Sequence, residues 1–365
     1  MREPGRNPTI RDVARVAGVS VATASRALGN YGRVSDETRA RVQAATEEIG
    51  YRPNSVARSM ITRRTNTIGV VCADISSPFF AGVVRGVTDE AKKAGFDILL
   101  VNTDEDVATE REAIALLMDK RVDGMVVSAA DVCEVAHLAT AQERGTPVVL
   151  IDRISSMLSA DVVTVDDVRA TELAVSHLLE LGHRRIGILA ELRIEREADW
   201  QTLLGPGLDR DRGELNASAA RLLGYLRAHR AAGVPVDPTL VCRTGTYEVD
   251  GAVECARQLL SRSDRPSALV TIDNVMTVGG FRAVRELDLD LPGDLSFVGF
   301  DNLDWTTLVR PALTLVEQPV HEIGARAAQR LLERIAGDDQ EPRRILLPTS
   351  FLVRGSTAPA APAAP

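Results

Sequence analysis

Arginine is the residue whose placement says most about chemistry in this chain of 365 residues. Twelve arginines and no lysine fall within residues 1–64, against six acids (Glu3, Asp12, Asp36, Glu37, Glu47, Glu48). That segment carries +6, so the remainder carries −14 of a whole-chain charge of −8. A basic head on an acidic body suits one part that meets a polyanion and another that meets something else. The other chemistry-bearing side chains assemble into no reactive set. The five histidines (His137, His177, His183, His229, His321) are scattered, and His183, in LGHRRIG, reads as the cap of a helix end. The Asp pairs at 166–167 and 338–339 fall in a crossover and a loop near the tail, which gives general acid–base chemistry no support. No nucleophile elbow, Walker loop or His/Glu metal motif occurs. The cysteines (Cys72, Cys133, Cys242, Cys255) show no CxxC spacing. Neither a metal site nor a disulfide framework is expected, and buried free thiols in a reducing cytosol are the better reading. The expectation is a protein that binds, with no metal, no cofactor and no enzymatic activity.

Those arginines need elements to hold them. Thr9 is an N-cap candidate with Asp12 at the capping-box position. Val13, Val16 and Ala17 then make an apolar stripe at helical spacing, and Gly18 stops that helix. Ser20 caps a second helix with Ala24, Ala27 and Leu28 as its inner face. Ser35 caps a third, with Val42, Ala45 and Ile49 inward and Gly50 as its stop. Helix, tight glycine turn, helix and third helix is the helix-turn-helix arrangement. The next stretch, PNSVARSM from Pro53 to Met60, has Asn54 as a possible cap but is too short to be a stable helix alone.

From Thr67 onward short Val/Ile/Leu runs alternate with helical patterns, from IGVVCAD to ILLPTSFLV. Continuous apolar runs joined by helices predict parallel strands buried on both faces. The body is therefore α/β and doubly wound, and its length suits two lobes with a ligand at the carboxyl ends of the strands. Residues 191–217 break the rhythm as a charged excursion, with a short helix expected around Glu195–Leu204. MREPGRNPTI lacks the apolar centre of a secretory signal, and no run approaches the ~18 apolar residues of a membrane span. A cytoplasmic protein is expected, ending in a disordered tail, STAPAAPAAP.

The segment TIRDVARVAGVSVATASRALGNYGRVSDETRARVQAATEEIGYRPNSVARSM strongly resembles the LacI/GalR family of bacterial transcription regulators, and the resemblance continues to about Thr357. It implies a homodimeric, sequence-specific repressor on a palindromic operator, controlled by a small-molecule effector, a sugar or sugar derivative. Val21, Ala22 and Arg26 occupy the positions that touch bases in the major groove, where Arg26 could donate two hydrogen bonds to one guanine. Thr9, Ser20, Thr23, Ser25, Asn30 and Arg33 are backbone anchors or caps; Tyr31 packs or touches phosphate. PNSVARSM becomes the hinge, two copies of which fold together in the minor groove. Val56 would meet its symmetry mate, Ala57 would allow close approach, Arg58 would sit near phosphate, and Met60 would wedge a base step open, where the family usually has Leu.

The body resembles the periplasmic sugar-binding proteins and the effector domains of the same regulators through SSPFF, IDR, RLLGY, IDNVMTVGG with GFDN, and LVEQP. On this resemblance Phe79 and Phe80 stack on a sugar, with Phe80 as core and one of the two structural as the alternative reading. Asp152, Arg153, Arg221, Asp301 and Gln318 bond hydroxyls, with Ser77, Asp273 and Tyr247 as weaker candidates. The family commonly has Asn-Asp where this chain has Asp273-Asn274, and the excursion could lid or block the cleft. The expected organisation is a helix-turn-helix head (1–52), a hinge (53–66), an effector and dimerisation domain (67–357) and a tail (358–365). Within the body the N-lobe is 67–166 with 318–337 and the C-lobe 167–317 with 338–357, so the chain crosses near Asp166, Glu317 and Gly337. A regulator with a degenerate cleft answering to a protein partner, or a solute-binding receptor, are the competing readings. The resemblance implies release from DNA by an inducer in most members and a bound co-ligand in some.

Overall fold

The computed structural model describes residues 8–29, 32–51, 64–192 and 216–361. The expected helix around Glu195–Leu204 lies outside them, as do Asn30, Tyr31 and the hinge residues Asn54, Val56, Ala57, Arg58 and Met60. The chain divides into two compact units, Met1–Thr67 with Arg121–Asp123, and the rest.

The first unit holds α1 (Ile10–Ala17), α2 (Val21–Gly29) and α3 (Asp36–Ile49). Its core is Val13, Ala14, Ala17, Ala24, Ala27, Val42 and Ala45. Small residues dominate because the three helices pack closely. Val16 departs from the expected stripe: it is 38% exposed, since Val13 and Ala17 already fill the face that α2 and α3 cover.

The second unit contains two similar lobes. One sheet is built on β1 (Thr67–Cys72), β2 (Asp97–Asn102), β3 (Gly124–Val127), β4 (Val148–Ile151) and β5 (Asp161–Val165), in the order β2-β1-β3-β4-β5, with a sixth strand beside β5. The other repeats the order with β6 (Ile186–Ala190), β7 (Val241–Arg243), β8 (Ala268–Thr271), β9 (Ser296–Phe300) and β10 (Thr314–Glu317), as β7-β6-β8-β9-β10. Each order reverses at β1/β3 or β6/β8, the switch point at which doubly wound sheets hold ligands. The connecting helices are α4 (Pro78–Lys93), α5 (Val107–Asp119), α6 (Ala136–Glu143), α7 (Asp167–Glu180), α8 (Ala217–Ala231), α9 (Val249–Leu260), α10 (Asn274–Glu286), the short α11 (Trp305–Leu308) and α12 (Val320–Ile335).

The run ILLPTSFLV becomes two strands, β11 (Arg344–Leu347) and β12 (Ser350–Leu352), in different sheets. Pro348 lies between them and cannot donate to a ladder. β11 pairs parallel with β5, and β12 pairs antiparallel with β10. Residues 344–347 therefore belong to the first lobe, and the third crossing falls at 348–349 rather than near Gly337. One ion cluster explains why the chain stays there. Asp161, at the start of β5, accepts from Arg330 Nε (2.8 Å), Arg334 Nε (2.6 Å) and the backbone of Arg343 (2.8 Å), tying α12 and the approach to β11 to one carboxylate.

Two further expectations are corrected and one is refined. Cys242 and Cys255 form a disulfide across a separation of 13 residues, because β7 lies against α9 and brings their Cα atoms to 6.1 Å. His183 closes the end of α7 with its backbone amide, which donates to the Leu178 carbonyl at 3.0 Å, and its ring does other work, meeting the hydroxyls of Ser267 (2.8 Å) and Ser296 (3.1 Å) and the carbonyl of Ala358 (3.0 Å). The start of the tail is consequently held: Ala358 N donates to Ser296 and Ala360 N to the Leu181 carbonyl.

Candidate functional site

In the head, Thr9 and Asp12 make a reciprocal start to α1. The Thr9 amide (3.0 Å) and hydroxyl (2.7 Å) both donate to Asp12, and these bonds bring its carboxyl down to about 2. Gly18, at φ 64°, ends α1 in the left-handed region where glycine is favoured, so that Ser20 can start α2. Ser20 accepts from the Thr23 amide at 3.1 Å and bonds the Thr23 hydroxyl at 2.8 Å. With Ala24 and Ala27 turned inward, Val21 (44% exposed), Ala22 and Arg26 share the outer face of α2. Arg26 Nε reaches the Ala22 carbonyl at 3.2 Å, which lays its guanidinium along that face. Ser25 is half-buried on α2, and Arg33 is exposed between α2 and α3. Arg39 fixes α3 to α2 by donating to the Ala27 carbonyl at 3.2 Å. The result is a short helix with three outward residues, held by caps and a small apolar core.

In the body, a cavity of about 330 Å³ opens at the carboxyl ends of both sheets. All ten residues expected there line it: Ser77, Phe79, Phe80, Asp152, Arg153, Arg221, Tyr247, Asp273, Asp301 and Gln318. The two lobes supply matching parts. Asp152 directly follows β4 and Asp301 directly follows β9, and both take positive φ, 65° and 69°. Their amides bond across to equivalent neighbouring strands, Asp152 to Val163 and Asp301 to Val316. Asp tolerates the left-handed region better than most residues, and strain held at a strand end points to a site.

Phe79 and Phe80 form one wall, edge to face with centroids 5.1 Å apart. Phe80 is buried and also packs with Cys72 and Ala73, so it serves the core and the cavity together. Asp273 caps α10, accepting from Met276 N at 2.8 Å, while its side chain borders the cavity. Asn274 points elsewhere and accepts from the Tyr247 hydroxyl at 3.0 Å. The altered Asp-Asn order thus puts the charge on the cavity and leaves the amide to steady Tyr247. The Cys242–Cys255 bond closes the loop that carries Thr246, Tyr247 and Glu248, all cavity residues.

Arg221 is the centre. It is 5% exposed, and it donates to Asp167 (2.7 Å), the Ile272 carbonyl (2.6 Å) and, at 3.5 Å, Gln318. Its guanidinium stacks 4.1 Å over the Phe300 ring. Gln318, where the chain leaves β10 for α12, donates in turn to Asp301 at 2.8 Å. Both ends of the cleft thereby meet at a crossing between lobes. Arg153 donates to the carbonyls of Ala129 (3.2 Å) and Ala130 (2.9 Å) and pairs with Glu105. Asp152 and Arg153 start no helix; their ion contact is a loose 3.6 Å. Burial raises the carboxyls of Asp152 and Asp301, and lifts Asp167 to about 6 and Asp273 to about 7, with Arg221 pulling the other way in each case.

Sequence reasoning missed Asp167, Glu105 and Glu191. Asp167 was hidden in a crossover pair: Asp166 caps α7 by accepting from Arg169 N at 3.0 Å, and Asp167 is the buried partner of Arg221. A buried arginine in RLLGY calls for a carboxylate, and that demand was the available signal. Gly224 lets the partners meet. A Cβ there would lie 2.2 Å from the Val168 carbonyl, so only glycine lets α8 lie this close to α7. Gly224→Ala is expected to separate the helices, cost about 1–3 kcal/mol in chemical denaturation, and weaken any ligand that depends on Arg221.

No helix among the described residues is long and apolar enough to cross a membrane, and no cluster there could hold a metal ion. A three-helix head with a helix-turn-helix and a body of two doubly wound lobes around a polar and aromatic cavity define a ligand-responsive DNA-binding regulator. Profiles described as bacterial regulatory proteins of the lacI family and as a periplasmic binding protein-like domain match residues 9–54 and 175–357. The chain belongs to the LacI family. It is 33% identical over 356 residues to the HTH-type transcriptional regulator DegA of Bacillus subtilis (strain 168), covering 96% of this chain and 98% of that protein. Among solved structures, a complex of the regulator CelR with cellobiose matches at TM-score 0.68 and 29% identity, over 96% of this chain and 100% of that one. A LacI family regulator from Enterococcus faecium with bound ribose matches at TM-score 0.68 and 29% identity, over 81% and 100%.

Proposed function

We propose that this protein is a cytoplasmic transcriptional repressor that binds a palindromic operator as a homodimer and is governed by a sugar-like polyol held between its lobes. It acts by binding, without catalysis. One observation carries the reading: a DNA-binding head with Val21, Ala22 and Arg26 outward is joined in one chain to a cavity where aromatic, carboxylate, amide and guanidinium groups converge. Aromatic rings cover the C–H face of a sugar, and the polar groups bond its hydroxyls. The cellobiose and ribose in the two related structures are ligands of this kind. A ligand bridging the lobes favours one relative arrangement by its differential affinity, and so changes how two heads register on an operator.

Arg26→Ala tests the DNA half. It is expected to relax base preference at one position per half-site and cost about 1–3 kcal/mol there. Equal weakening on every sequence would make Arg26 a phosphate contact. For the cavity, cellobiose, ribose and related sugars are added to the full chain in a thermal-shift assay. Ligand occupancy raises the melting temperature, and a flat response to all of them would contradict a sugar cleft.

A further inference from the structure

We propose that the cavity takes a polyol bearing an amino group, an amino sugar in its cationic form, and discriminates against phosphorylated and carboxylated sugars. This rests on the reading of the cavity as a ligand cleft. Among the described lining residues eight are Asp or Glu and two are Arg, so the wall is far more acidic than basic. Neither arginine is a ready partner for an anion. Arg221 spends Nε on Asp167 and one Nη on the Ile272 carbonyl, and Arg153 is taken up by Glu105 and two carbonyls.

Two buried carboxylates, Asp273 and Asp301, and the partly buried Asp152 then face the cavity with acceptor capacity in hand. Asp273 accepts from the Met276 amide, Asp301 from Gln318 and the Asn274 amide, and Asp152, among the described residues, has the 3.6 Å contact with Arg153. Two come from the second lobe and one from the first. These three carboxylates share Arg221 as a nearby counter-charge, with Arg153 beside Asp152, and anions crowded in excess of their counter-charge are costly; the cost is removed by protonation or by a cation brought in from outside. An ammonium group offers three donors and a full charge to an acceptor-rich wall. The remaining hydroxyls of a sugar still donate to the other carboxylates, and its ring face meets Phe79 and Phe80. A phosphate or uronate would meet this wall as one more anion.

Calorimetry on the full-length protein at pH 6.5 separates the cases. Matched sets are titrated: glucose, galactose and ribose, each beside its amino, N-acetylamino, phosphate and uronate forms where these exist. The expected result is that in one set the amino form binds at least tenfold tighter than both the neutral parent and the N-acetyl form. The phosphate and uronate should be weaker still. Asp273→Asn keeps a capping oxygen for α10 and is expected to shrink the amino-over-neutral ratio by several-fold. A neutral parent that binds as tightly as its amine, or a phosphate or uronate that binds best, overturns the inference and leaves the sugar cleft standing. No binding by any form of any sugar overturns the cleft reading as well.

Discussion

Arg221→Ala should abolish the response to cleft ligands and lower body stability by about 3–5 kcal/mol at pH 7, the usual result of leaving a buried charge without its partner. The side chain is the cation to which Asp167 is bonded, and it lies close enough to pull down Asp152, Asp273 and Asp301. It also bonds the end of β8 and reaches Gln318 at a lobe crossing. Removing it leaves a nest of carboxylates that repel one another. The pH dependence has a definite sign. Asp167, at about 6, and Asp273, at about 7, are raised above their unfolded values. Each therefore favours the folded state at low pH and loses that contribution as pH rises through its folded value. Without Arg221 both rise further. The deficit of the variant should be largest at pH 8 and shrink toward pH 5, as measured by urea denaturation at each pH. If Arg221→Ala does not fold, Arg221→Lys keeps the charge but not the fork that bonds Asp167 and Ile272 together. It should fold and still lose ligand response.

Asp161→Ala is the second large effect, expected at about 3–5 kcal/mol, and it falls on the first lobe alone. Asp161 is 1% exposed and accepts from two arginines of α12 and from the backbone of Arg343. Arg330 is 3% exposed and retains Glu333 and Asp338, whereas Arg334 keeps only carbonyl partners for its Nη1. Burial pushes the Asp161 carboxyl up, but its bonds to Arg334, Arg330 and Arg343 outweigh it and hold the carboxyl below its ordinary value. Its contribution is therefore fully present above the unfolded carboxylate value of ~3.9 and is lost as pH falls from there through the lower folded value. The penalty of the variant should be full at pH 7 and fade in acid. Urea melts at pH 7 and at successive steps well below the unfolded carboxylate value of ~3.9 would show whether the difference narrows.

Local signals were the legible ones. Thr9, Ser20 and Ser35 start their helices as caps, and Gly18 and Gly50 end two of them, because capping is settled within a few residues. Asp152, Asp301 and Gln318 directly follow strands, and a parallel sheet gathers its strand ends on one side, whereas Phe79, Phe80, Arg221 and Tyr247 lie on helices and a loop and are reached only through the resemblance. What the sequence did not yield depends on partners far along the chain. Asp167 meets Arg221 across 54 positions, and His183 meets Ser296 across 113. The Cys242–Cys255 pair follows from β7 lying against α9, which no spacing rule encodes. The last crossing comes later than Gly337 because Arg330 holds Asp338 and Asp161 holds Arg343 beside the first lobe. In β2, Leu99 and Leu100 are 39% and 38% exposed, although DILLVN reads as a strand covered on both faces; it is an edge strand.

The chain is expected to read a specific DNA sequence as a symmetric pair. Selection of binding sites from random duplex DNA by the full-length protein, at fixed salt, tests it most directly. The predicted result is one enriched palindrome whose affinity falls steeply as salt rises, because head arginines displace counterions. Enrichment of no sequence, or of one without two-fold symmetry, would contradict it.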